Sequence, residues 1–348
     1  MDRSDRVTER IIEMIQSGNK EHPLVKSYIE GSRFYSDFID MMKFFENKLK
    51  KAEYKGIQKK VENSFYTSDV QEFLQCMCEL IVIYYLLRRY SENNFNYEPK
   101  LCGGYNPECN FMIDDICVNV EVKTPNYSKR IVQEQTDSLK IFPAERIKKH
   151  KEIIQELSNI ISSNSEQGII VEELMRLDNK LKDYLLHSQK KFPKGQQYFN
   201  ILVIALEIAS DLDEWYSYIL GENGVFTDRT FIDDDYSNVD AILLCTPVCG
   251  IKGWENFGKT NVWKLEETVN ILLLDPRKEQ ESKGYFYFEK GIDIFGTLSR
   301  AFLSYQNNLD KTNANLYSNE EGNTGFEYIQ FKELDLRICS AFLQSLEH

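Results

Sequence analysis

Residues 106–125 read NPECNFMIDDICVNVEVKTP. Two apolar runs, Asn110–Ile113 and Ile116–Val122, flank the acidic pair Asp114-Asp115. An apolar run, a two-residue polar turn and a β-branched run predict a β-hairpin. Its second strand alternates: Val118, Val120 and Val122 point one way, Cys117, Asn119, Glu121 and Lys123 the other. Side chains two apart share a face, so the carboxylate of Glu121 and the ammonium of Lys123 are held together at the strand end. Across the turn, Glu108 and Asn110 come within reach of them. Acidic groups converging with a lysine suit a hard divalent cation and the water that it activates.

These residues resemble the PD-(D/E)XK nuclease superfamily. Glu121-Val122-Lys123, with its apolar middle residue and the Thr124-Pro125 that follows, matches the second half of that motif. The first half departs from it. Asn110, just before Phe111, stands where the family has an aspartate, and Glu108, preceded by Pro107, is the candidate substitute. The resemblance implies a restriction-endonuclease-like core, a class of α/β fold with a central mixed β-sheet flanked by helices. It implies Mg²⁺, with Mn²⁺ as a substitute, held by Glu121, the backbone carbonyl of Val122 and either Glu108 or Asn110. Lys123 then orients or helps to deprotonate the attacking water. Glu79, on the helix before the hairpin, corresponds to a family glutamate that faces the metal. Lys129, Arg130 and Gln133 follow the site strand, and Gln189, Lys190 and Lys191 precede the next one, so both sets are candidate nucleic-acid contacts.

The activity implied is metal-dependent hydrolysis of phosphodiester bonds, in DNA, in restriction, phage defence or DNA processing. The partners implied are the nucleic acid, a protein that supplies recognition or activation, and a second copy of the chain. Asn110 brings no negative charge to a site that needs it. Glu108 replaces the aspartate, or the change is an inactivating one, or the site has decayed. The nuclease reading predicts that Asn110→Asp raises or restores metal-dependent cleavage. The competing reading is a catalytically silent binding or assembly module that keeps the nuclease fold.

Around this stretch the chain divides into a helical region over 1–60, a core over 61–250 and an α/β extension over 251–345. Helical spacing covers residues 1–20 and, after Pro23, roughly 24–60. Ser68-Asp69 caps a helix over about 69–90, in which Glu72 and Glu79 share a face and Glu79 is set among apolar neighbours. A charge there needs a partner. Phe95–Leu101 extends towards a turn at Gly103-Gly104. An insertion over about 130–192 reads as a helical hairpin with arms Ile147–Ile161 and Val171–Leu186. Asn200–Leu206 and Val239–Leu244 are continuous apolar runs, as expected of strands covered on both faces. Asn270–Leu274 and Tyr285–Phe288 read as strands, Gly296–Tyr305 and 333–345 as helices, and Leu346-Glu347-His348 as the start of a vector-encoded histidine tag.

Composition narrows the alternatives. The chain of 348 residues is 42% hydrophobic and 13% aromatic, enough for a well-packed core. No uninterrupted apolar run approaches the roughly 18–20 residues of a membrane span, and the charged, amphipathic start has no signal-peptide core. Eight cysteines without zinc-ribbon spacing read as reduced thiols of a cytoplasmic protein. The net charge of −13 argues against a general nucleic-acid coat, but its distribution is uneven. Residues 41–60 hold seven lysines against Glu46 and Glu53, and 123–151 hold eight Lys/Arg against three acids. Either segment can hold a phosphate backbone or form a solvated face. Histidine is too scarce for a histidine-rich metal site, and neither G-x-S-x-G nor a phosphate-binding loop occurs. The acidic run Asp233–Asp235 lacks EF-hand spacing. A carboxylate pair of the glycosidase kind leaves Lys123 without a task.

Overall fold

Four amphipathic helices lead into the core, each placed by apolar side chains three and four residues apart. They are α1 (Arg3–Gln16), α2 (Pro23–Ile29), α3 (Arg33–Lys48) and α4 (Lys51–Tyr66). The expected helical stretch over 24–60 is therefore three helices. Gly31, at φ +65°, makes the turn between the first two, and Ser32 caps the second by accepting from Phe34 N. Helix α5 (Val70–Tyr90) is the central one, with both its faces largely buried. It is long and apolar enough to cross a bilayer, yet 78% of its most apolar window is buried inside the fold, the state of a core helix.

The computed structural model describes residues 3–275, apart from 68–69, 92, 102–105, 127–138, 142–149, 165–170, 174–176, 207–211, 221–223, 227–235, 256–260 and 269. The Ser68-Asp69 cap, the Gly103-Gly104 turn, Asp233–Asp235 and everything expected beyond Asp275 lie outside the described residues.

The strands are β1 (Asn96–Tyr97), β2 (Cys109–Ile113), β3 (Ile116–Lys123), β4 (Leu139–Ile141), β5 (Val171–Glu173), β6 (Tyr198–Ala205), β7 (Ala241–Cys245) and β8 (Asn270–Leu274). Pairing of Ile113 with Ile116 closes the expected hairpin, and Asp114 takes the left-handed φ of 49° that an acidic turn residue tolerates. Six strands form one mixed sheet in the order β1-β2-β3-β6-β7-β8. The pairs β3–β6 and β6–β7 are parallel, and the other three are antiparallel. The fold is thus α/β with a six-stranded mixed sheet, and β8 brings into it a strand from beyond residue 250.

Helices cover both faces, which is why β6 and β7 read as unbroken apolar runs. Val118, Val120, Val122, Ile201 and Val203 pack with α1, α3, α4 and α5. Leu202, Ile204, Ile242 and Leu244 pack on the other face with Leu181 and Leu185 of a helix over Leu177–Lys191, and with Trp215 and Ile219 of one over Leu212–Leu220. With the helix over His150–Asn164 counted as α6, these two are α7 and α8. Trp263 donates from Nε1 to the Phe34 carbonyl at 2.8 Å, tying the far end of the described chain to α3.

The insertion differs from the helical hairpin expected. Val171–Glu173, assigned to a helical arm by sequence, is a strand paired in parallel with Leu139–Ile141. The two form a small separate sheet, and α6 is the crossover between them. The reason lies in the β-branched run Ile169-Ile170-Val171, whose stiff side chains favour extended backbone over helix.

Candidate metal centre

The alternation of β3 distributes the motif between two helical layers. Val122 is buried towards α5, whereas Glu121 turns to the opposite face, where Lys191 at the end of α7 meets it. Neighbouring strands extend the row. Asn96 pairs with Asn110, Asn110 with Asn119, and Asn119 with Asn200, so four asparagines stand abreast across four strands. Just beyond the paired residues, Glu98 and Glu108 lie beside one another at the strand ends, and Glu121 lies near Glu108. Glu98 N donates to Glu108 O (2.9 Å), and Glu108 N turns to Val120 O (3.0 Å), the carbonyl of the residue already paired with Cys109, so the β2–β3 register breaks at Glu108. Glu108 is the carboxylate that shares Lys191 with Glu121, whereas Asn110 is paired with Asn119 further along the hairpin.

Side-chain contacts follow these rows. Asn96 Nδ2 donates to Asn110 Oδ1 at 3.0 Å, and Asn119 Nδ2 donates to Asn200 Oδ1 at 2.9 Å. The glutamate row instead gathers lysines. Lys123 Nζ and Lys191 Nζ both donate to Glu121 Oε1, at 2.6 and 2.7 Å. Lys191 Nζ also lies 3.7 Å from Glu108 Oε1. On the other side of Glu108, Lys60 Nζ of α4 lies 3.8 Å from Oε2, 3.9 Å from Glu98 Oε1, and in direct ion-pair contact with Glu79 of α5. Glu108 thus sits between two ammonium groups brought by different helices.

Glu79, Glu98 and Glu108 each place a carboxylate oxygen within 4.8 Å of the others, a spacing that suits one cation. Beside them a cleft of about 400 Å³ runs between α4, α5 and the end of β3, with Lys60, Asn63, Glu72, Gln75, Glu79, Glu108, Lys123 and Thr124 in its wall. Gln71 and Gln75 strap α5 to the strand end by donating to the carbonyls of Pro125 and Thr124, at 3.3 and 3.5 Å. Glu121 is not part of that wall. Its side chain is 0% exposed beneath Lys123 and Lys191, and its Oε2 is buried with no hydrogen-bond partner among the described residues.

Burial raises the carboxyl of Glu108, to about 7, with Glu79 adding to the effect against the opposing lysines. The Glu121 carboxyl is raised by burial and then by Glu108. For Lys60 burial works against the charge, but Glu79 and Glu108 outweigh it and hold the ammonium above the ordinary lysine range. A carboxylate oxygen that is buried without a donor is costly. A divalent cation satisfies it, and carboxylates with a backbone carbonyl are the oxygen donors that Mg²⁺ takes. The residues present fit such a cation in donor chemistry, but among the described residues those spaced to share one are Glu79, Glu98 and Glu108, and Glu121 is not among them.

Of the residues singled out by sequence, the structure brings Glu79, Glu108, Glu121, Lys123 and Lys191 together. Val122 lies at the cleft wall with its side chain in the α5 core. Asn110 is engaged by Asn96, further along the hairpin. Gln189 accepts from Asn238 N at 3.4 Å, and Lys190 is exposed. Lys129, Arg130 and Gln133 lie outside the described residues. Two site residues escaped the sequence reading, Lys60 and Glu98. Lys60 follows Ile57 by three residues and precedes Ser64 by four, on the buried side of α4, and a lysine at such a position signals a buried acidic partner. No protein-family model, no curated protein and no solved structure matches the chain.

Proposed function

We propose that this protein is a metal-dependent nuclease with a restriction-endonuclease-like core, hydrolysing phosphodiester bonds in DNA. One observation supports the reading: Glu79, Glu108 and Lys123 line one cleft, and Lys123 and Lys191 tie Glu121 to its edge, with one buried Glu121 oxygen lacking a hydrogen-bond partner among the described residues. Glu121, Glu108, Glu79 and the Val122 carbonyl would hold Mg²⁺, which when bound supplies Lewis-acid stabilisation and a water of lowered pKa. The chain itself supplies positioning and charge. Lys123 Nζ, at the cleft wall, orients the attacking water and offsets negative charge on the phosphorane-like transition state. Lys51, Lys55 and Lys59 form an exposed ridge on α4, each four residues from the next, and Asn63 continues it into the cleft. That ridge gives an acidic protein a local track for a phosphate backbone.

The test is cleavage of supercoiled, linear and single-stranded DNA and of RNA with Mg²⁺ or Mn²⁺, comparing the chain with Lys123→Ala. Metal-dependent cutting that disappears in Lys123→Ala supports the nuclease reading. Absence of both cutting and metal uptake removes it.

A second reading has an observation of its own. Lys60, Lys123 and Lys191 already contribute three positive charges to Glu79, Glu98, Glu108 and Glu121. Such a group is close to neutral by itself, as a catalytically silent binding module requires. Mn²⁺ titration calorimetry separates the two, because a silent module takes up no metal.

A further inference from the structure

We propose that Lys60 is a resident cation of the acidic centre, one that a divalent metal must displace from Glu79, Glu98 and Glu108 in order to bind. The inference rests on the metal reading above and adds a regulatory element to it.

Three observations support it. The carboxylates of Glu79, Glu98 and Glu108 are close enough to share one cation, and the Lys60 ammonium is within 4 Å of all three. Lys60 comes from α4, outside the hairpin and α5 that carry the proposed ligands, so its ammonium is a separate group that can leave without unmaking them. Its side chain is 36% exposed and lines the cleft, which gives the ammonium somewhere to go. The neighbouring Glu121, joined to Glu108 through Lys191, has an oxygen that no lysine among the described residues satisfies. The lysines therefore neutralise the row without completing its coordination.

An ammonium and Mg²⁺ compete for the same oxygens but not equally. Lysine forms hydrogen bonds as a single charge on a flexible stem, whereas the metal carries two charges and draws several oxygens inward at once. Metal binding thus includes the cost of parting Lys60 from its partners. A phosphate entering the cleft lowers that cost, because it offers the released ammonium a new anion. Metal affinity and nucleic-acid affinity are then coupled, each raising the other.

The experiment is Mn²⁺ titration calorimetry of the full chain against Lys60→Gln and Lys60→Arg, with folding checked by circular dichroism. Lys60→Gln should bind Mn²⁺ about tenfold more tightly or better, and Lys60→Arg should bind no more tightly than the parent. Equal or weaker binding in Lys60→Gln overturns the inference and leaves the metal reading standing. No uptake by any of the three removes both. If Lys60→Gln fails to fold, the comparison moves to Glu79→Gln against Lys60→Gln/Glu79→Gln, which removes the buried ion pair as a unit. Tighter binding by the double variant supports the displacement, and equal or weaker binding overturns it.

Discussion

The side-chain oxygen of Asn110 accepts a hydrogen bond from Nδ2 of Asn96 at 3.0 Å, so the residue that replaces the motif's aspartate is engaged within the sheet. The carboxylate that shares Lys191 with Glu121 comes from Glu108, which lines the cleft, and it is raised by burial and held between Lys60 and Lys191. Glu108 has the position and the ionisable carboxyl that Asn110 lacks. Asn110→Asp should therefore leave Mn²⁺ affinity within about twofold of the parent, whereas Glu108→Gln should weaken it about tenfold or more, a loss of at least about 1.4 kcal/mol. Calorimetry on the two variants decides which residue belongs to the centre. A large gain in Asn110→Asp would return Asn110 to it.

Lys191 provides a prediction about stability. It donates to the fully buried Glu121 and lies near Glu108, so removing it leaves Glu121 with Lys123 as its remaining ammonium. Breaking a buried charge pair from one side is costly because of the ion left behind, but at 22% exposure part of that cost is screened. Lys191→Met should lower unfolding stability by about 2 kcal/mol in metal-free buffer, read from urea midpoints at constant m-value. Saturating Mn²⁺ should recover much of the loss if Glu121 is a ligand, since a metal that binds only the folded state adds to its stability.

His22 gives the fold a dependence on pH that is separate from the acidic centre. Its ring is buried between Phe65 and Phe73, with centroids 4.2 and 4.3 Å away, and its Nδ1 caps α2 by accepting from Leu24 N. Nε2 is buried with no hydrogen-bond partner among the described residues, and burial lowers the group to about 4. In the unfolded chain His22 takes up its proton near 6.5, whereas the folded chain resists until about 4. The stability that its neutral form contributes is complete above 6.5 and is lost as the pH falls through that window, about 3 kcal/mol in all. His22→Asn keeps a capping side chain and cannot be protonated in this range. Its urea midpoint should fall distinctly less between pH 6.5 and 4 than that of the parent, and equal slopes would show that carboxylates account for the whole acid dependence.

What could be read from the sequence was local. The hairpin around Asp114-Asp115, β7 and β8 follow from a turn and from apolar runs within a few residues of one another, so period and turn chemistry suffice to place them. The acidic centre depends instead on pairings between distant segments. Lys60 meets Glu79 and Glu108 only because α4 packs against α5 and the hairpin, and nothing local to Lys60 names those partners. Glu98 enters through the two-residue strand β1, too short to show a period, and its place beside Glu108 is set by β1–β2 pairing. Asn110 shows the opposite difficulty. Alignment by motif points to it, but its side chain is engaged by Asn96, and Glu108 is the residue beside Lys191 and the cleft. In the insertion, the helical pattern of the flanking arms hid a three-residue strand whose partner lies some thirty residues earlier.

The α4 ridge offers a prediction that separates phosphate binding from metal chemistry. Lys51, Lys55 and Lys59 are exposed, while the acids of the same helix are already engaged, Glu53 with Lys50 and Glu62 with Arg10. The ridge is therefore a local surplus of positive charge on a chain whose net charge is −13. If all three lysines contact a duplex backbone, each releases close to one counterion, and the slope of log K against log salt becomes less steep by about 2–3 when all three are replaced by alanine. The weakening should be uniform across sequences, because phosphate contacts carry no base information. Fluorescence anisotropy with a labelled duplex in EDTA, over a series of salt concentrations, measures that slope without any requirement for cleavage. An unchanged slope would assign the ridge to solvent and move the nucleic-acid track elsewhere on the molecule. A slope reduced by 2–3 with Mn²⁺ uptake intact would fix α4 as the arm that brings the backbone to Lys123.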